Sequence, residues 1–271
     1  MAEGHLQKLS QIPVLMYHKI DPHSEVGINA LSPRRFRQHC QWLEEHGFQA
    51  LTFRHILENR PIPANPVILT FDDAYASVFE HAYPIMREFG FPGVVFVISG
   101  FIGRSNSWDA NLGGLTFPHM DRDNLRELHR AGWEAGGHSV THRALRFLPE
   151  AVCRREIETS FRDLESLLGV PPVSFAYPFG MGSERVRQFT AQAGFRVGCG
   201  AIRDYGHPPD IMNLPRIPLY QFEGARQLHR RLSGARPPLA DRVVLRLLGW
   251  PAFLTPLYQL LFRRKLWAGD C

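Results

Sequence analysis

The chain of 271 residues has only four cysteines, Cys40, Cys153, Cys199 and Cys271, and they lie far apart. None forms a Cys-x-x-Cys pair, so nothing points to a cysteine metal site or a disulfide framework, and a reducing compartment is the simplest setting. An apolar leader is also lacking. Met1 to Pro13 is polar and carries Lys8, so no secretory signal is visible and a cytoplasmic protein is expected. No linker-like stretch divides the sequence, so it reads as one domain with a tail. Nor is there an apolar run long enough to span a bilayer. The uncharged stretch of the tail, Leu247 to Phe262, is interrupted by Gly249, Pro251 and Pro256 and falls short of the roughly 20 residues required. Net positive charge is lacking outside the tail: residues 225–271 hold nine Arg and Lys against two acids, while the formal charge of the whole chain is only +5, which leaves the preceding part slightly acidic. That distribution argues against a nucleic-acid binder and for a local anionic partner such as lipid headgroups, or else a solvated basic helix.

What is present is an ordinary globular composition, 44% hydrophobic and 21% charged, with thirteen histidines. The most informative stretch is Val67-Ile68-Leu69-Thr70-Phe71-Asp72-Asp73. A short β-branched and aromatic run opened by Pro66 and closed by charge reads as a buried parallel strand, and loops at the carboxyl ends of such strands carry active sites. On an extended backbone adjacent side chains point to opposite sides, so Asp72 and Asp73 are expected to serve as one ligand and one base. The alternative is that they cap the following helix, expected near Ser77.

Strand patterns recur at Ile12 to Tyr17, Phe48 to Thr52, Gly93 to Ile98, Val173 to Tyr177, Phe195 to Cys199 and Asn213 to Leu219. Helical patterns fall between them. Ser32-Pro33 opens a helix to about Glu45 with Phe36, Cys40, Leu43 and Trp42 inward. A segment Ser77 to Phe89 is expected to bend at Pro84, a helix capped by Asp121 or Asp123 runs to about Arg130, and two more cover Pro149 to Leu168 and Ser183 to Ala193. This alternation predicts a parallel α/β barrel or a doubly wound sheet. The barrel, of seven or so irregular units, is favoured because polar residues end several non-neighbouring strands: His18, Asp72 and Asp73, His138, and the turn Tyr177-Pro178-Phe179-Gly180. The expected fold is an α/β distorted (β/α)7-type barrel over residues 1–222 with a basic, apolar helical tail over 223–271.

In His138-Ser139-Val140-Thr141-His142 two imidazoles stand four residues apart, a spacing that one turn of helix places on one face and that suits two ligands of one metal. With a carboxylate from Asp73 the set becomes two His and one Asp, leaving positions open for water and substrate, as in catalytic sites. Thr70-Phe71-Asp72-Asp73, His138 to His142 and Phe175-Ala176-Tyr177-Pro178-Phe179-Gly180, in that order, resemble the polysaccharide deacetylases of the NodB-homology type, carbohydrate esterase family 4. The likeness runs from about Pro13 to Pro218, and Val14-Leu15-Met16-Tyr17-His18 further resembles the branch that de-N-acetylates poly-β-1,6-N-acetylglucosamine. The resemblance implies a metal-dependent hydrolase that removes N-acetyl groups from an amino-sugar polymer or its precursor. Asp73, His138 and His142 would hold a divalent metal, most simply Zn2+; Asp72 would be the general base; the backbone N–H of Phe179 would face the oxyanion; His18 would be the general acid.

Three departures matter. Asp-Asp-Gly is Asp72-Asp73-Ala74 here, which requires that position 74 avoid a strongly left-handed backbone. The Arg opening the third motif of chitin-type members is Ala176, and Arg216 is the expected replacement to orient Asp72. The late Leu-x-His motif is missing after residue 220, which shifts the acid role to His18. Two other hydrolase readings remain, a deformylase of a lipid-linked sugar and an amidase of small nitrogen compounds, beside a catalytically silent carbohydrate-binding protein. Tyr177 and Phe179 are sugar platforms or core, Trp108 and Phe117 are groove aromatics or core, and His23, His119 and His207 are expected at the surface. Arg and Lys flanking the apolar stretch of the tail suit a peripheral contact with the inner membrane surface through residues 241–267, or a last helix packed on the barrel or on a second copy.

Overall fold

The computed structural model describes Leu9 and residues 11–22, 29–108, 116–202 and 210–233. Among the described residues ten strands alternate with helices: β1 (Val14–Tyr17), β2 (Lys19–Ile20), β3 (Ala30–Leu31), α1 (Pro33–Glu45), β4 (Gln49–Leu51), α2 (Phe53–Leu57), β5 (Pro66–Phe71), α3 (Tyr83–Glu88), β6 (Val94–Val97), α4 (Arg122–Arg130), β7 (Glu134–Gly137), α5 (Glu150–Leu168), β8 (Ser174–Ala176), α6 (Glu184–Gln192), β9 (Val197–Ile202), β10 (Leu214–Pro218) and α7 (Ala225–Leu232). Strands β1, β10, β9, β8, β7, β6 and β5 pair in that order, and β1 pairs again with β5, so seven parallel strands close a barrel. On β5, Ile68 pairs with both Val14 and Leu51, while Thr70 pairs with both Met16 and Val94. One edge of β5 is therefore shared, β4 taking its first half and β6 its second. This is the distortion of the barrel.

Period-two alternation separates its inside from its outside. Val14, Ile68, Val94, Phe96, Ala176, Val197, Cys199 and Leu214 form one buried cluster that also takes in Phe53, Ile56 and Leu57 of α2. Their alternates Leu15, Leu69, Val95, Val97 and Ile217 pack with Phe36, Cys40 and Leu43 of α1 and Leu125 and Leu128 of α4. Gly136 belongs to the inner row: a Cβ there would come within 2.7 Å of the Phe96 ring and 2.5 Å of Ser174 Oγ. Continuing the inner rows by two residues past Thr70 and Gly136 reaches Asp72 and His138, so the alternation that fills the barrel also aims these side chains into its mouth.

Local chemistry accounts for the helix ends. Ser32 caps α1, accepting from Arg35 N, with Pro33 at the first position, and the buried stripe Phe36, His39, Cys40, Leu43 has helical spacing. Trp42 is only partly buried. Asp121 caps α4 in a reciprocal box with Asn124. Pro84 does not break the segment before β6: a wide turn at Val78–Ala82 precedes α3, absorbing the missing N–H at the helix start. Leu228 of α7 is fully buried against the outer layer of the barrel. The tail proposed for membrane contact, residues 241–267, lies outside the described residues, and no described helix is long and apolar enough to cross a membrane.

Candidate active site

At the carboxyl end of β5 the main chain leaves the sheet abruptly. Asp72 N still donates to Tyr17 O at 2.9 Å, but Asp73 and Ala74 both adopt left-handed backbone, with φ of 68° and 51°. The two carboxylates do diverge, though not because the strand runs on as expected; the left-handed turn swings Asp73 out of the alternation. Ala74 also departs from expectation, since it occupies the left-handed region that a glycine would enter freely, at a cost of roughly 1–2 kcal/mol.

Asp72 points at Arg216, which rises from β10. Nη1 donates to Asp72 Oδ1 at 2.6 Å and Nη2 to Oδ2 at 2.8 Å, a bidentate pair with both side chains buried. The guanidinium is held in turn by Gly200 O through Nε at 3.3 Å, and it lies 5.5 Å from the Phe96 ring centre. Burial pushes the Asp72 carboxyl up, but the charge and hydrogen bonds of Arg216, joined by the His138 and His18 charges, together outweigh it, leaving the group below the usual carboxylate range and ionised.

Asp73 points the other way, at two imidazoles. Its Oδ1 lies 3.4 Å from Nε2 of His138 and 3.4 Å from Nε2 of His142, and it is buried without a hydrogen-bond partner. One ligand atom from each of the three residues lies within 4.8 Å of the other two. The His pair does not sit on a helix as the spacing suggested. Ser139 and His142 have φ of 63° and 54°, and the loop folds back so that the two rings meet at 4.8 Å. His138 Nδ1–H donates to Ala176 O at 2.7 Å, which leaves Nε2 with its lone pair toward Asp73.

Glu156 of α5 fastens this loop, accepting from Val140 N at 3.0 Å, Thr141 N at 2.9 Å and Thr141 Oγ1 at 2.5 Å. Sequence reasoning missed Glu156, although a carboxylate on the stripe formed by Cys153, Ile157, Ser160 and Leu164 was a signal that could have found it. His119 was also misplaced: it is buried, 5% exposed, not at the surface, because Trp108 and the turn after β5 cover it. Trp108 and Tyr177 are buried as well. Tyr177 donates its hydroxyl to Met212 O, whereas Phe179 is half-buried, its ring 4.7 Å from that of His142. His18, half-buried after β1, is near enough for its charge to bear on Asp72, Asp73 and His142. His23 and His207 lie outside the described residues.

The cluster fits a divalent cation. Two ligands of a tetrahedral ion bonded at ~2.0–2.1 Å stand about 3.3 Å apart, close to both Asp73–His spacings. A buried carboxylate oxygen with no donor is costly unless a cation meets it. Burial pushes His142 down to about 3, against the pull of Asp73, so its imidazole is neutral and can ligate. In His138 burial acts in the same direction, but Asp73 and Asp72 overcome it and raise the group, which marks this point as one where the field favours positive charge.

A parallel barrel with a carboxylate pair and a His pair converging at its mouth defines a class, the α/β-barrel hydrolases with a metal-type centre. Within it, the chain belongs to the polysaccharide deacetylase family, whose sequence model matches residues 59–198. It is 24% identical over 207 residues to a poly-beta-1,6-N-acetyl-D-glucosamine N-deacetylase of Staphylococcus epidermidis, covering 71% of this chain and 69% of that protein. Among solved structures, IcaB from Ammonifex degensii superposes with a TM-score of 0.70 at 24% identity, covering 82% of this chain and 96% of that one. The Streptococcus pyogenes deacetylase PplD, in complex with acetate, gives 0.69 at 22% identity, covering 83% and 98%. The family and the barrel expected from the motifs are thus both established.

Proposed function

We propose that this protein is a metal-dependent N-deacetylase of a β-linked N-acetylglucosamine polymer or its precursor. The observation that carries the reading is the separation of two buried carboxylates a single residue apart, Asp72 bound to an arginine and Asp73 facing two imidazoles. The named substrate of the Staphylococcus epidermidis relative supports the choice of sugar.

Asp73, His138 and His142 would hold the cation, most simply Zn2+, which when bound supplies a Lewis acid for the amide carbonyl and lowers the pKa of water. Asp72 is the general base: ionised and clamped by Arg216, it takes the proton of the attacking water. The Phe179 N–H, at the left-handed residue of its turn (φ 59°), is the donor assigned to the developing oxyanion. His18 gives a proton to the departing amine as the C–N bond breaks, so that water is consumed and acetate and a free amino sugar leave. Arg216 positions Asp72 without touching substrate.

Purified protein loaded with Zn2+ and incubated with β-1,6-linked N-acetylglucosamine oligomers should release acetate; a lipid-linked N-formyl sugar run in parallel tests the deformylase alternative through formate. Release of neither, under conditions where another family member is active, would sink the enzymatic reading. Asp72→Asn should abolish turnover while retaining about one ion per chain, Asp73→Asn should lose the ion, and His18→Asn should lower kcat by ~10²–10⁴. An Asp72→Asn protein that came out metal-free would reverse the assignment of the two carboxylates.

A further inference from the structure

The turn after β5 is held by a segment remote in sequence. Met120 N donates to Ala74 O at 2.8 Å and Ala76 N to Pro118 O at 2.9 Å, flanking the antiparallel bridge between Tyr75 and His119. Between these main-chain bonds His119 Nδ1–H donates to Asp73 O at 2.6 Å. On its other side His119 Nε2 accepts from Trp108 Nε1–H at 3.1 Å. A carbonyl can only accept and an indole N–H can only donate, so the two partners together admit a single form of His119, the neutral tautomer with its proton on Nδ1.

The same two side chains reach both halves of the metal cluster. Trp108 lies against the His142 ring with centroids 3.9 Å apart, and Phe179 meets the same imidazole edge-on at 4.7 Å, so that two aromatic rings contact it. His119 stacks on Tyr75 at 5.0 Å, and Tyr75, Ile98, Phe101 and Trp108 form a small buried cluster of their own beside the barrel mouth. Lys19 Nζ sits 3.9 Å from the centre of the Phe117 ring, which packs against that cluster. A left-handed backbone at Asp73 persists only where its surroundings over-determine it, and three hydrogen bonds across residues 73–76 do so here.

We propose that Trp108 and His119 are positioning residues of the metal centre, His119 fixing the strained main chain that aims the Asp73 carboxylate and Trp108 fixing the ring plane of His142. This rests on reading Asp73, His138 and His142 as metal ligands. Neither residue touches substrate; they act through two ligands, and loss of such a partner typically weakens metal binding by ~10–100-fold.

The test is binding of Co2+, followed by its visible absorption and by competition with a chromophoric chelator. Wild type, His119→Ala, His119→Asn, His119→Gln and Trp108→Phe are compared at a temperature where circular dichroism shows each folded. His119→Ala should bind at least tenfold more weakly with an altered Co2+ band, and Trp108→Phe, which keeps a ring against His142 but loses the N–H, should fall in between. The Asn amide nitrogen replaces Nδ1 and that of Gln replaces Nε2, so Asn should recover affinity that Gln does not, a difference that general loosening of the fold would not produce. Wild-type affinity and spectrum in His119→Ala would overturn the proposal; should that variant not fold, equal affinities of the Asn and Gln variants would do so. If the wild type took up no Co2+ and no Zn2+, the metal-centre reading itself would fall, an outcome distinct from failure of the positioning role.

Discussion

Replacing Arg216 by Met removes a buried cation that Asp72 cannot do without. Arg216 is 1% and Asp72 4% exposed, and both guanidinium Nη atoms are engaged with the carboxylate. Breaking such a pair from one side costs about 3–5 kcal/mol, because the surviving charge stays buried without its partner, whereas removing both charges together costs much less. For a chain of this size that is a fall in Tm of roughly 10 °C. The pH dependence has a defined sign. In the wild type the Asp72 carboxyl lies below its unfolded value, so its contribution to stability is present above about pH 4 and fades on acidification. Without Arg216 the burial effect, the largest single influence, is opposed only by the His138 and His18 charges and the carboxyl rises above its unfolded value, so the folded state takes up a proton and the penalty grows as pH rises. The gap between wild type and Arg216→Met should therefore be widest near neutrality and narrow toward pH 4. Urea melts in excess chelator at both pH values, on the two single variants and on Arg216→Met/Asp72→Asn, measure this directly. A coupling energy of at least 2 kcal/mol is expected; additivity within about 0.5 kcal/mol would refute the claim that the two side chains act as a unit. In the metal-loaded enzyme the acid limb of kcat/KM should also move to higher pH in Arg216→Met.

Three further outcomes are expected. Ala74→Gly should raise the melting temperature by a few degrees, since φ of 51° strains an alanine but not a glycine, and a lower melting temperature would show that the turn is not strained at this residue. Burial moves His39, bonded to the Tyr17 hydroxyl and Glu223 O, from 6.5 down to about 4, so the unfolded chain binds its proton first; about 3 kcal/mol of stability should be lost as pH falls through that window, and His39→Gln should flatten the slope in denaturant melts. Glu156→Ala strands the Val140 and Thr141 N–H donors, which should cost roughly 3 kcal/mol and weaken Co2+ uptake, with Glu156→Gln recovering most of both.

The barrel and the convergence of its strand ends were legible because both follow from periodicities confined to a few consecutive residues. An inward row of alternate residues ending in Asp72, and another passing through Gly136 to His138, are properties of strand geometry, and the strand-end rule then places them at one mouth. Arg216 could be anticipated only through the family resemblance, as the replacement for the arginine that chitin-type members carry where this chain has Ala176. Apart from the pairing of Arg216 with Asp72, what escaped the sequence are the features in which distant segments constrain one another. The spacing of His138 and His142 suited a helical turn, but Glu156, on a helix that begins twelve residues later than His138, draws the intervening amides into a loop with two left-handed residues. Nothing near Ala74 signals that residues 118–120 would pin it in a conformation that its own side chain disfavours. His119 looked like a surface histidine because no periodic pattern surrounds it; its burial is produced by Trp108 and Tyr75, neither of which is its neighbour in sequence. Local strain and long-range restraint thus coincide at the turn after β5. The strained residues set the direction of the Asp73 carboxylate, so the cost of the turn is a physical argument that the surrounding hydrogen bonds hold that direction against the local preference of the chain.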